Sequence, residues 1–248
     1  MNLTQFFAEH PRAAIAFSGG VDSAYLLYAA VRSGADVTAY YVNTAFQPRF
    51  ELEDARRLAR ELGAKMRIIP VDILCHDPVT ANPTDRCYHC KKAIFSAILD
   101  AATEDGYDLL LDGTNASDNA SDRPGMRALR ELDVRSPLRE AGLTKGEIRR
   151  LSKEAGLFTY DKPAYACLAT RIPTGEGITA DKLRKTETAE AWLAALGLRD
   201  FRVRLLDGNA RLQVTEEDLG TVLRHREEIV TELKKYYKSV LLDLEVRP

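Results

Sequence analysis

The sequence predicts an α/β fold: a parallel sheet with helices on both faces, followed by a small C-terminal α+β domain. Three observations carry this. Short apolar runs alternate with segments of helical periodicity over the first two-thirds of the chain. Each apolar run breaks into small polar residues, as a strand does where it enters a loop. Beyond residue 174 the alternation gives way to one helix, a hairpin and a closing segment.

In chain order, Ala13 to Phe17 reads as a first strand, Ser18-Gly19-Gly20-Val21-Asp22-Ser23 as a tight loop, and Ala24 to Val31 as a helix. Val37 to Val42 is a second strand. Phe50 to Leu62 is a helix, with Leu52, Ala55, Leu58, Ala59 and Leu62 on one face and Gly63 as its stop. Met66 to Val71 and Leu109 to Leu111 are further strands, separated by a helix over Cys90 to Ala102. Thr144 and Glu147 form a capping box for a helix through Ala155. A linker at Gly175 to Gly177 divides the expected domains, 1–174 and 175–248. Past it come a helix over Asp181 to Leu196, a hairpin turning at Asp207-Gly208, a helix through Leu233, and a last strand within Ser239 to Leu244.

At 248 residues and 45% hydrophobic content the chain can bury a core in each domain. A net charge of −2 argues against nucleic acid as the main ligand. No apolar run approaches the ~20 residues of a membrane helix. The N-terminus lacks a basic, then apolar, leader, so a cytoplasmic location is expected. The four cysteines are then metal ligands or reactive thiols rather than disulfide partners.

Ligands of such sheets sit beyond the carboxyl ends of the strands. Four polar segments begin there: Ser18 to Ser23, Asn43-Thr44, the loop from Cys75 to Cys90, and Asp112-Gly113-Thr114-Asn115. The first presents backbone N–H groups and a helix N-terminus to an anion, but has no Walker-type lysine. It resembles the PP-loop of the ATP pyrophosphatases. The resemblance implies that Ser18, Gly19, Gly20, Val21, Asp22 and Ser23 hold the pyrophosphate of ATP. It further implies that Asn43, Gly113, Thr114 and Asn115 help hold adenine and ribose. Mg²⁺ is the expected companion of the phosphates, within reach of Asp118 and Asp122.

Cys87 and Cys90 fall at i, i+3 near the start of a helix, on one face. Helix N-termini and nearby cations favour thiolates, the form that ligates metals and transfers sulfur. A zinc site completed by Cys75, His76, His89 or Cys167 and a redox dithiol are both compatible with this spacing. Cys75 by itself reads as a small, partly buried residue. Together, the loop, Asp85 to Lys91 and the segment Lys162 to Gly175 around Cys167 resemble the LarE sulfur transferases of nickel-pincer nucleotide biosynthesis. The resemblance implies adenylation of a pyridinium mononucleotide that carries two carboxylates, followed by sulfur insertion. Some relatives lack cysteines matching Cys87 and Cys90, and there the single cysteine gives up its own sulfur. With all three present, the chain resembles the variety in which Cys87, Cys90 and Cys167 hold a [4Fe–4S] cluster. A tRNA thiolase of the same superfamily is the alternative.

In the hairpin, alternation places Val203, Leu205, Leu212 and Val214 on one face and Arg202, Arg204 and Arg211 on the other. Arg204 then faces Arg211, and like charges so placed cost stability unless an anion lies between them. The resemblance assigns Arg202, Arg204 and Arg171 to the substrate, and Glu190 to a metal. Glu187 is the other acid on that helix. It also implies a homo-oligomer, with a sulfide source that the sequence does not identify.

Overall fold

The computed structural model describes residues 2–118 and 124–247. Its elements run α1 (Leu3–Glu9), β1 (Arg12–Ala16), α2 (Val21–Arg32), β2 (Asp36–Asn43), α3 (Arg49–Leu62), β3 (Lys65–Pro70), α4 (Asp77–Thr80) and α5 (Arg86–Glu104). They continue with β4 (Leu110–Leu111), α6 (Pro124–Glu131), α7 (Pro137–Glu140), α8 (Lys145–Glu154) and α9 (Ala180–Ala195). The chain closes with β5 (Arg202–Leu206), β6 (Asn209–Gln213), α10 (Glu216–Arg224), α11 (Arg226–Leu233) and β7 (Val240–Leu242).

Two units are distinguished. The first comprises Met1–Ile73 and Asp85–Ala164, the second Leu74–Thr84 and Tyr165–Pro248. The first contains the parallel sheet, in the order β3-β2-β1-β4. Alternation along its strands separates two cores. Ala13, Ile15, Phe17, Val37, Ala39 and Tyr41 pack with α1, α2 and α3 on one face. Ala14, Tyr40, Val42 and Leu110 pack with Phe95, Ile98 and Ala102 of α5 on the other. Strands apolar on both sides need helices on both faces, and this sheet has them. The strand order reverses between β1 and β4, the kind of switch point beyond whose strand ends ligands of such sheets bind.

The second unit holds the hairpin β5-β6, with β7 added parallel to β6. Val203, Ala210 and Leu212 pack on Ala189 and Leu193 of α9 and on Ile229 and Leu233 of α11. Arg204 pairs with Arg211 across the hairpin, as the alternation requires. The segment Leu74–Thr84 belongs here because Asn82 ties it down. Its amide donates to the carbonyls of Pro173 (2.7 Å) and Glu176 (3.1 Å), and its own carbonyl accepts from Gly175. By this division Cys75, Cys167 and Arg171 lie in the second unit.

Candidate functional site

The loop after β1 is shaped by its own small side chains. The Ser18 and Ser23 hydroxyls lie 3.1 Å apart, the Ser23 hydroxyl donates to the Gly20 carbonyl, and the Gly20 N–H reaches the Ser18 hydroxyl. Gly19 has φ +74°, and a Cβ there would come within 3.2 Å of Ala55 Cβ. Only glycine combines that conformation with that approach. Val21 opens α2, so the free N–H groups of its first turn lie at this loop.

The loop after β4 closes on the same helix start. A Cβ on Gly113 would lie 2.9 Å from the Ser23 backbone nitrogen. The Asn115 amide donates to Asp22 Oδ1 at 3.3 Å. Thr114 and Ser136 donate their hydroxyls to the buried Asp112 carboxylate. The structure thus brings Ser18 to Ser23, Gly113, Thr114 and Asn115 together beyond the ends of β1 and β4, although they lie far apart in sequence. Asn43 ends β2, next to β1, with its side chain exposed. Asp118 accepts from the Asn115 N–H at 3.0 Å and so acts within the turn. Asp122 lies outside the described residues. One group at this site had no signal in the sequence beyond its place at a helix start. Lys145, the first residue of α8, reaches Asp22 Oδ2 with its ammonium group.

Cys87 and Cys90 occupy the first turns of α5, with Cys87 exposed and Cys90 half-buried. α6 braces this helix. Tyr88 donates to Glu131 at 2.7 Å, and the Arg127 guanidinium stacks 3.7 Å from the Tyr88 ring centroid. The Arg86 guanidinium lies 4.0 Å from the Cys87 sulfur. His89 pairs with Asp85 at 3.3 Å. Among the described residues no three His, Cys, Asp or Glu side chains are gathered as a ready-made metal site. Cys75 is exposed rather than partly buried.

In the second unit the loop carrying Cys167 is anchored by an arginine. Arg171 is 1% exposed, and its Nη1 donates to the carbonyls of Ala166 (2.8 Å) and Cys167 (3.4 Å) and to the Thr170 hydroxyl (2.8 Å). The N–H and the hydroxyl of Thr170 also donate to the Cys167 carbonyl. Arg171 Nε and Nη2 form a two-pronged bridge to Glu190 at 2.8 and 3.0 Å. Glu190 additionally accepts from the Tyr165 phenol and from the Val203 N–H at 2.9 Å. Arg171 thus ties the loop to Glu190, and Glu190 is the buried counter-ion of Arg171.

Arginines crowd the same region. Arg171 and Arg202 lie 4.7 and 5.2 Å from the Tyr165 ring centroid. Arg204 donates to the Thr170 carbonyl at 2.6 Å, so the hairpin holds the cysteine loop directly. Burial, reinforced by the neighbouring cations, first among them Arg171, pulls both Arg202 and Arg204 below the usual arginine range. Arg211 Nε is buried without a hydrogen-bond acceptor among the described residues, Asp243 being 3.6 Å away. Burial raises the Tyr165 phenol above the ordinary tyrosine range, and Glu190 adds to this, so the ring is a hydrogen-bond donor.

Comparisons with known proteins follow the same lines. The family model described as queuosine biosynthesis protein QueC matches residues 12–90, which contain the loop and the cysteine pair. The pyridinium-3,5-bisthiocarboxylic acid mononucleotide synthase of Lactiplantibacillus plantarum is 34% identical over 94% of this chain and 86% of that protein. An uncharacterized protein of Synechocystis sp. is 37% identical over 98% of this chain and 92% of its own length. The tRNA-specific 2-thiouridylase MnmA of Thermotoga petrophila is 28% identical over 60% of this chain and 53% of that protein. The LarE-like match runs through the cysteine segments and the arginine hairpin alike, and the chain belongs to the LarE family of ATP-dependent sulfur transferases within the PP-loop superfamily.

Proposed function

We propose that this protein uses ATP to convert a carboxylate of a pyridinium dicarboxylate mononucleotide into a thiocarboxylate, in the cytoplasm, as a homo-oligomer. A carboxylate oxygen is a poor leaving group. Its attack on the α-phosphorus of ATP expels pyrophosphate and leaves an acyl-adenylate. A sulfur nucleophile then attacks the acyl carbon, and AMP departs with the C–O bonding pair. Ser18 to Ser23 and the α2 N-terminus would receive the pyrophosphate, and Asn43, Gly113, Thr114 and Asn115 the nucleoside. Mg²⁺ would accompany ATP, held by phosphate oxygens with one or two carboxylates, as is usual for this ion. Asp22 is the acid best placed to share it.

Arg202, Arg204 and Arg211 are the residues we assign to the anionic groups of the substrate. The single observation that carries this reading is the arginine face beside the Cys167 loop: Arg202 is buried, Arg204 and Arg211 are half-buried, and burial with the crowding of cations pulls Arg202 and Arg204 below the usual arginine range, which an anion of matching charge would relieve. The three thiols Cys87, Cys90 and Cys167 suit a [4Fe–4S] cluster with one iron left open. Such a cluster would supply a replaceable sulfide, so that Cys167 need not lose its own sulfur. Exposed Leu223, Leu241 and Leu244 in the second unit offer apolar surface for a homo-oligomer to cover.

The test is turnover in anaerobic conditions with ATP, Mg²⁺, sulfide and either the pyridinium dicarboxylate mononucleotide or bulk tRNA. AMP and pyrophosphate release, with exchange of oxygen for sulfur in the mononucleotide by mass spectrometry, is the expected result. Release stimulated by tRNA alone would overturn the proposal in favour of a tRNA thiolase.

A further inference from the structure

The loop that carries Cys167 has little regular structure of its own: one short helical turn over Leu168–Arg171, then irregular chain as far as α9. Its position is therefore set by the side chains that clamp it. Arg171 holds it from within. A second clamp, Asn82, comes from the segment Leu74–Thr84 of the same unit, 90 residues before Ile172. We propose that Asn82 is a positioning residue for sulfur transfer, the latch that fixes the second half of the Cys167 loop so that Arg171 can hold the first. The inference rests on the sulfur-transfer role proposed for Cys167. It adds a residue outside both cysteine segments, Asp85 to Lys91 and Lys162 to Gly175.

Geometry and residue type argue for it. Asn82 is fully buried, and its Nδ2 lies 2.7, 3.1 and 3.4 Å from the carbonyl oxygens of Pro173, Glu176 and Ile172. The Gly175 N–H returns a hydrogen bond to the Asn82 carbonyl at 2.8 Å, and the Ile178 N–H donates to the Thr80 carbonyl at 2.8 Å. Asn82 also has φ +56°, in the left-handed region that asparagine enters more readily than most side chains. Glycine would adopt that backbone freely but has no amide to donate, so asparagine meets both demands at once. The carbonyls it holds begin at Ile172, the residue after Arg171, whose guanidinium reaches back to the Ala166 and Cys167 carbonyls. The two clamps therefore act in series, Asn82 on the chain beyond Arg171 and Arg171 on the cysteine itself. Misplacing a reacting group by about 1 Å can cost about a hundredfold in rate, so a thiol on an irregular loop depends on such clamps.

The experiment compares wild type with Asn82→Gly, which keeps the backbone and removes the amide, and Asn82→Asp, which keeps the size and turns an acceptor on the three carbonyls. Hydrogen exchange read by mass spectrometry follows the loop without substrate. Anaerobic turnover with ATP, Mg²⁺, sulfide and the pyridinium dicarboxylate mononucleotide follows first-turnover pyrophosphate release and thiocarboxylate formation separately. In both variants exchange is expected to quicken about tenfold or more over residues 165–171 as well as 172–178, with the parallel sheet unchanged. Thiocarboxylate formation is expected to fall about tenfold or more, while first-turnover pyrophosphate release and affinity for the mononucleotide change less than about twofold. Faster exchange confined to 172–178, with thiocarboxylate formed at the wild-type rate, would overturn the proposal, since the latch would then hold only its own contacts. Pyrophosphate and thiocarboxylate falling together would also overturn it, because a damaged fold does not separate the two steps. Wild-type protein that forms no thiocarboxylate would instead refute the sulfur-transfer reading, whatever Asn82 does to exchange.

Discussion

Cys167 illustrates how a reactive side chain is presented. Its carbonyl takes hydrogen bonds from Thr170 and Arg171, while its thiol remains half-exposed. Cys167→Ala is expected to abolish thiocarboxylate formation while pyrophosphate release continues; loss of both would refute the role given to the sulfur. Arg171 and Glu190 form a buried pair whose partners are all accounted for, so removing one end strands the other. Glu190→Gln is expected to destabilise the second unit by about 3–5 kcal/mol, read from denaturant unfolding, and Arg171→Met by a similar amount. Tyr165 gives a test by pH. Its phenol is held above the free tyrosine value by burial and by Glu190, with Arg171 and Arg202 opposing. A raised folded value means that the contribution is complete below the unfolded tyrosine range and is lost as pH rises through the folded one. In Tyr165→Phe, the alkaline decline in stability is expected to be shallower than in wild type.

Two turns between strand and helix carry the proposed nucleotide site, and both depend on glycine. Gly113 lies against the backbone of Ser23, which has no flexible tip to move aside. Gly113→Ala is therefore expected to cost about 1–3 kcal/mol and to weaken ATP binding by displacing the start of α2. Calorimetric titration beside a thermal melt separates the two effects. Most elements were legible because their periodicity is simple. α3, α8, α9 and the hairpin lie within two residues of where apolar spacing and caps place them. α5 runs from Arg86, so that Cys87 and Cys90 lie in its first turns as their i, i+3 spacing suggests, and α6 braces it there through Tyr88 and Glu131.

At the scale of the whole molecule, the cluster proposed on Cys87, Cys90 and Cys167 is tested by its metal content. Iron, acid-labile sulfide and zinc per chain, on protein purified without oxygen, decide it. About four irons with matching sulfide, lost together in Cys87→Ala, is the outcome expected for the cluster. One zinc without sulfide would make Cys87 and Cys90 structural and leave Cys167 as a single-use donor.

What the sequence by itself determined is local. Strand runs, caps, turn residues and the PP-loop depend on neighbours within a few positions, and so they can be read from the chain. The pairing of Arg204 with Arg211 belongs here too, because a two-residue turn sets the register. What only the tertiary structure decided are the partners of charges. Lys145 meets Asp22, and Arg171 meets Glu190, across separations that no spacing rule reaches. The physical reason is that a long charged side chain takes whatever opposite charge packing brings within about 4 Å, and that choice is made by the fold.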